Sequence, residues 1–332
     1  TTSEDWGVVS VLTVALAGTL RCYGISHCAG LCVESFDTKH QTIYRPAMEY
    51  AVSLFPLRPA QMVEVATTAE ELGFGTAWIG EHIISPLDMS SRYPYADHDE
   101  QAPAYHSHLP FYDPYAALSY LAARTTTLRL GLSLSIVPLH DPYHLARSVA
   151  TLDLFSEGRF LFGVGAGWLK EEFEIVGRPW DRRGARLEES LAVMERLWND
   201  TEPAFDGQFF SLPPSAMEPK PLTRPHPPYF FGGISPVALD RAARLGDGWI
   251  GVGLELDAIA PVVADLRRRR EEVGRGSDPI EVSMILGTMR PTRDDIARLA
   301  DAGVDQVVLR PWIKGREAVP NLRALAADLG IG

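Results

Sequence analysis

The chain has 332 residues, 46% of them hydrophobic, and a formal charge of −12. That length and apolar content give an ample core, and the acidic balance argues against nucleic acid or an anionic membrane as partner. Its three cysteines, Cys22, Cys28 and Cys32, all lie near the start, so neither a disulfide frame nor cysteine-ligated zinc supports the main body.

Residues 1–47 differ in pattern from the rest of the chain. The apolar run over 8–17 has the length of a signal-peptide core, and Ala15-Leu16-Ala17 resembles a cleavage site, yet Glu4 and Asp5 stand where positive charge is required. The run is too short to span a membrane. A knuckle of the three cysteines with His27 fits no standard zinc spacing, and no metal is expected. Residues 1–47 are therefore read as an N-terminal extension that the core can dispense with. The expected location is cytoplasmic.

The regular pattern begins at residue 48. A strand over 50–55 leads to a helix opened by Pro59 and closed by Gly73, with Val63, Ala66 and Leu72 facing inward. A short strand over 76–79 ends in Gly80-Glu81-His82. The segment 83–112, rich in Pro, Tyr, His and Asp, is too long for a plain connection and is read as a lid. Asp113-Pro114 caps the next helix, which runs to Arg124. The apolar run over 128–137 has the composition of a strand buried on both faces. Asp141-Pro142 opens a helix carrying Leu145, Val149 and Leu152 on one face, and a strand over 159–164 runs into Gly165-Ala166-Gly167-Trp168. Strand, helix and strand form a βαβ unit that crosses over right-handed.

The chain is then helical to Asn199, with a break at 177–179. A small hairpin over 205–212 and a proline-heavy excursion over 213–228 come next. Strands over 229–231, 248–252, 280–286 and 306–309 alternate with helices over 236–245, 256–273, 293–302 and 321–329. Eight βα units predict an α/β fold, a (β/α)₈ TIM barrel with insertion segments over 48–332. A doubly wound sheet is the runner-up, but no G-x-G-x-x-G opens its first helix.

In such a barrel the strand ends form the site. Phe231-Gly232-Gly233-Ile234-Ser235-Pro236 puts two glycines, a cap and an N1 proline at a helix start, which suits a phosphate; the alternative is a tight capped turn. The 165–167 turn is a weaker version. His82 can serve as a proton donor, touch a ring cofactor or be merely structural. His98, His106 and His108, with Asp97 and Asp99, share one loop and are read as solvated rather than metal-binding. Arg182, Arg183, Arg186, Glu188 and Glu189 are read as a salt-bridged helix face.

Several stretches together resemble one family. ATLDLFSEGR (150–159), GRFLFGVGAGW (158–168), KPLTRPHPPYFFGGISP (220–236) and AARLGDGW (242–249) are similar to the luciferase-like superfamily, and within it to the branch of F420-dependent oxidoreductases. The resemblance is close over about 49–252 and looser beyond. It implies a barrel of the bacterial luciferase-like type that holds coenzyme F420, or alternatively FMN, at its C-terminal mouth. It implies that Glu81 and His82 are catalytic, with His82 also approaching the ring. It places Ser133, Leu134 and Ser135 on a bulged third strand that often carries a non-prolyl cis peptide. Gly165, Ala166 and Gly167 would lie beside the ring, and Gly232, Gly233, Ile234 and Ser235 near its tail or phosphate. One departure is plain: Trp168 stands where some F420 dehydrogenases carry a catalytic glutamate, which argues against a sugar-phosphate dehydrogenase.

The expected function is F420-dependent hydride transfer to or from a small organic substrate. The alternative is an FMN-dependent two-component monooxygenase that takes reduced flavin from a partner reductase and uses O2. A non-catalytic flavin-binding barrel and a metal-dependent hydrolase are further readings. A homodimer and a flavin or F420 reductase are the expected protein partners.

Overall fold

The computed structural model describes residues 48–94 and 108–331. Its strands are β1 (Glu49–Ser53), β2 (Thr76–Ile79), β3 (Arg129–Leu132), β4 (Phe160–Gly165), β5 (Tyr229–Gly232), β6 (Gly248–Val252), β7 (Glu281–Gly287) and β8 (Gln306–Leu309). All eight pair in parallel in chain order: β1 joins β2 to β8, and Leu130 of β3 faces Phe160 of β4, so the ring closes. The fold is a (β/α)₈ barrel. The extension over 1–47, with its cysteines and His27, lies outside the described residues, as do His98, His106, Asp97 and Asp99.

The helices are α1 (Pro59–Glu71), α2 (Pro114–Ala122), α3 (Pro142–Phe155), α4 (Lys170–Val176), α5 (Arg183–Asn199), α6 (Pro236–Leu245), α7 (Leu256–Glu272), α8 (Arg293–Asp301) and α9 (Ala318–Leu329). Polar caps begin several of them: Asp113 accepts from Ala116 N–H, Asp141 from Tyr143 and His144, and Ser235 from Ala238. Among the described residues no helix is long and apolar enough to cross a membrane.

Strand alternation sorts the core into two regions. Outward residues such as Val52, Ile79, Leu132, Phe162 and Phe231 pack under the helices. Inward residues Ala51, Trp78, Leu161, Phe230, Ile250 and Val308 fill the lumen, with Leu134 and Ile285 against them. Trp78 dominates that filling and meets Phe230 edge-on at 5.3 Å. Below it the lumen turns polar. Gln306 accepts from Trp78 Nε1 at 2.7 Å and donates to Thr76 Oγ1 at 3.0 Å, while Arg129 bridges Glu49 (2.6 Å) and Glu281 (2.9 Å). Among the described residues this network fills the N-terminal end of the lumen and leaves the C-terminal mouth for a ligand.

Four sequence expectations shift. The apolar run over 128–137 is not one strand: β3 stops at Leu132, the Ser133–Leu134 peptide bond is cis, and pairing resumes at Ser135 and Ile136, opposite Val164 and Gly165. The core face of α1 is Met62, Val65, Ala66 and Ala69, with Val63 and Leu72 only half-buried. Helix α9 starts at Ala318 because a 3-10 turn, Gly315–Glu317, feeds it; Pro320 falls in the first turn, where no intrahelical N–H bond is needed. The charge run on α5 binds other elements rather than itself. Glu188 pairs with Arg241 and Arg244 of α6, Glu189 accepts from the 208–210 backbone, and Arg182 and Arg186 lie over Phe209.

Candidate active site

β2 delivers Glu81 and His82 to the mouth, and their side chains go separate ways. His82 Nδ1 donates to Glu172 Oε2 at 2.9 Å, with both side chains nearly inaccessible, at 4% and 0%. The other oxygen of Glu172 accepts from the backbone N–H of Ile83 at 2.7 Å and Ile84 at 3.3 Å. A fully buried carboxylate requires such partners. It fixes the turn after β2 and commits Nδ1 of the ring. Phe111 and Trp168 meet the imidazole edge-on at 5.0 and 6.0 Å. Phe55 stacks on Phe111 at 4.6 Å, and Tyr93 on Trp168 edge-on at 5.1 Å. His82 thus sits in an aromatic wall.

Glu81 faces the other side. Its Oε2 accepts from Ser135 Oγ at 3.1 Å and Ile136 N–H at 2.6 Å, and its Oε1 from His140 Nε2 at 3.0 Å. Tyr115, whose phenol lies 2.9 Å from Ser135 Oγ, completes the cluster. Burial, with the charge of Glu81, holds that phenol well above its ordinary range, so it stays neutral. Burial alone would lower His140, but the hydrogen bond and charge of Glu81 raise it above 6.5. Every acceptor bond of Glu81 therefore braces the residues that follow the cis bond.

Ser133 is tied to Ile79 by its N–H (2.7 Å) and hydroxyl (3.2 Å). Beyond the cis bond Leu134 enters the lumen, where three inward glycines make room for it. A Cβ on Gly232 would come within 2.4 Å of Leu134 Cδ1, and one on Gly165 within 3.1 Å. One on Gly163 would meet Leu132 O at 1.7 Å and Leu134 at 3.0 Å. Gly165 and Gly232 are thus bare because Leu134 fills the space between them, an apolar floor under the mouth. Ala166, Gly167 and Gly233 continue the two turns, and Ile234 and Ser235 are exposed at the start of α6. The floor, the small-residue turns and the positive end of the α6 dipole fit a flat ring carrying an anionic tail.

α4 also anchors the segment after β2 a second time. Glu171 accepts from Ser90 N–H and Oγ, both at 2.6 Å, and from Ser91 N–H at 2.9 Å. Slight burial would raise its pKa, but these bonds bring it to about 2. Adjacent carboxylates of one helix thereby hold two points of one loop. Sequence reasoning missed Glu171, Glu172, His140 and Tyr115. A Glu-Glu pair directly after the 165–168 turn was the available signal, but its partners lie some 80 to 90 residues earlier. Among the described residues no group of three or more His, Cys, Asp or Glu could hold a metal.

A parallel barrel closed at one end, with a buried carboxylate-held imidazole and small-residue turns at the other, defines a barrel enzyme site. The chain belongs to the luciferase-like monooxygenase family, whose model matches residues 36–328. It is 33% identical over 285 residues to the uncharacterized protein Rv0953c of Mycobacterium tuberculosis, covering 85% of this chain and 99% of that one. It is 30% identical over 226 residues to an F420-dependent glucose-6-phosphate dehydrogenase of Amycolatopsis mediterranei, covering 65% and 62%. In structure it is similar to monooxygenase RslO1 from Streptomyces bottropensis, with a TM-score of 0.68 at 22% identity, covering 85% and 98%. F420-dependent and reduced-FMN-dependent enzymes both occur among the matches.

Proposed function

We propose that this chain is an oxidoreductase that transfers hydride between coenzyme F420 and a small organic substrate. The observation that carries the reading is the His82 imidazole at the mouth, fixed by Glu172 at 2.9 Å above an apolar floor. An F420-dependent relative, 30% identical over 65% of this chain, supports F420 by the length of its match, while the FMNH2-dependent dimethylsulfone monooxygenase of Pseudomonas putida, 35% identical over 45%, supports the FMN alternative.

Leu134, with the 165–167 turn, would support the ring, and the 232–235 turn with the start of α6 would receive the anionic tail. When bound, the coenzyme supplies or accepts the hydride. His82 Nε2 gives the accompanying proton to the substrate atom beside the carbon that gains hydride, and recovers it from solvent. Glu172 keeps the ring oriented through the cycle. Phe111, Trp168 and the tethered loop after β2 exclude water from that transfer.

Titration of the purified protein with F420 and with FMN, side by side, tests the reading. The expected result is tighter binding of F420 and hydride exchange with no need for oxygen. Tighter binding of FMN, with oxygen-dependent turnover of reduced flavin, would replace it by the monooxygenase reading.

A further inference from the structure

The mouth divides into two arcs. The residues proposed to face the cofactor come from β2, β3, β4 and β5, which are contiguous in the ring. The other arc, β6, β7, β8 and β1, has no assigned role. Its inward positions near the mouth are apolar or small: Ile250, Val252, Ile285, Gly287 and Val308.

One position breaks that pattern. Gln306 and Val308 of β8 point into the lumen, and Arg310 is the next residue in the same alternation. The ladder continues to it, because Arg310 N–H donates to Gly287 O at 2.9 Å. Its side chain is partly buried, and among the described residues its guanidinium meets no carboxylate and makes no hydrogen bond.

Other buried or partly buried arginines are held by protein groups, and Arg186, whose guanidinium likewise makes no hydrogen bond among the described residues, lies over the Phe209 and Phe210 rings, a contact Arg310 lacks there. Arg129 meets two carboxylates, Arg241 is bound to Glu188, and Arg159 and Arg270 each donate to four protein acceptors. A partly desolvated guanidinium whose donors no protein group uses is available to an anion arriving from outside. Burial pushes the Arg310 pKa down, with no charge opposing it. Arg58, Glu255 and Arg290, the other charged residues flanking these strand ends, are exposed. The neighbouring strand ends also carry apolar side chains, with Phe55 after β1 and Met289 after β7, the latter 38% exposed.

Resting on the proposed function, we infer that the substrate is an apolar organic acid whose carboxylate docks on Arg310, its body lying on the β6–β1 half of the mouth. One guanidinium matches one carboxylate in charge and in its two-point geometry.

The test uses the full chain, with and without F420, and two matched probe pairs: cinnamate with cinnamamide, and octanoate with octanamide. Calorimetric titration of the wild type should show at least one acid bound about 10-fold or more tighter than its amide, the scale of a charge-assisted pair. Arg310→Met should bring that ratio close to one, Arg310→Lys should retain part of it, and F420 affinity should change by less than about three-fold. No acid preference in the wild type for either pair overturns the inference, as does a preference that survives in Arg310→Met. A parallel loss of F420 affinity in Arg310→Met also overturns it, since the guanidinium would then hold the cofactor's own acidic tail. The wild-type ratio decides even if a variant fails to fold. Acid preference in protein that binds no F420 would remove the proposed function and leave the carboxylate site standing.

Discussion

His82 and Glu172 are 90 residues apart in the chain and 2.9 Å apart in space. The contact joins the end of β2 to the first turn of α4, so two βα units together define one imidazole orientation. The carboxylate also accepts two backbone N–H groups of the turn just after His82. Ring and turn are fixed by the same buried group.

That arrangement separates a reacting residue from a positioning one. His82→Ala is expected to lower turnover about 10²–10⁴-fold while cofactor affinity stays within a few-fold. Glu172→Gln keeps the size of the side chain but disturbs the bond to Nδ1, and should lower kcat about 10-fold with little change in KM. Single-turnover oxidation of bound reduced cofactor, followed from about pH 5 to about pH 9, reads both effects. A wild-type rate and pH profile in His82→Ala would move the proton source to solvent. Loss of cofactor binding in that variant would make His82 a ring contact instead.

Much of the barrel was legible because a strand buried on both faces is written as an uninterrupted apolar run. The bounds of α6, Pro236–Leu245, matched the sequence expectation, since Ser235 caps it, Pro236 holds N1 and Gly246 follows its last turn. The break after Leu132 was not legible from the apolar pattern, because Ser133 and Leu134 suit a strand as well as any neighbour. The site was legible only as far as local motifs reach. Glu81-His82 and the glycine turns announce themselves in one dimension, whereas Glu172, His140 and Tyr115 acquire meaning from partners brought close by folding. The resemblance implies a ring beside Gly165 and its tail or phosphate near Gly232, with room for the ligand at both. In the fold, that room belongs first to Leu134.

The Leu134 floor can be tested by a double-mutant cycle. Gly232→Ala alone places a Cβ where Leu134 Cδ1 stands, 2.4 Å away, and should destabilise by about 1–3 kcal/mol. With Leu134→Ala already present, the same change should be nearly neutral, giving a coupling energy of about 1–2 kcal/mol in urea unfolding. Additive effects would show that Leu134 does not fill this space. Gly233 is a poorer target, because its φ of 101° strains any side chain whatever its contacts.

Glu70 provides a stability test far from the site. Its Oε1 accepts from the N–H groups of Thr126, Thr127 and Leu128, at 2.8, 2.5 and 2.9 Å, where the chain turns into β3. Burial alone would raise its pKa, but these bonds bring it from 4.5 to about 2. A lowered folded value means the contribution is present above about pH 4.5 and is lost as pH falls toward 2. Glu70→Gln should therefore be less stable than wild type near neutrality, by on the order of 1 kcal/mol after screening of an exposed group. The gap should narrow steadily below about pH 4.5. A gap that is constant across this range would mean that the carboxylate charge contributes nothing.

His140 should show the opposite sign. Glu81 raises its pKa above 6.5 in the folded protein, against the effect of burial. A raised folded value means its contribution is complete below about pH 6.5 and declines as pH rises through the higher folded value. His140→Gln should accordingly be less stable than wild type at about pH 5.5, by on the order of 1 kcal/mol, and the two should converge toward about pH 8.5. Thermal unfolding of both proteins in matched low-salt buffers measures this directly. Because Glu81 also holds Ser135 and Ile136, the variant should weaken F420 binding along the same pH course, most strongly in acid. A stability gap that widens with pH would contradict the charge pairing. Unchanged F420 affinity at about pH 5.5, alongside the expected loss of stability, would show that the brace behind the cis bond supports the fold but not the cofactor site.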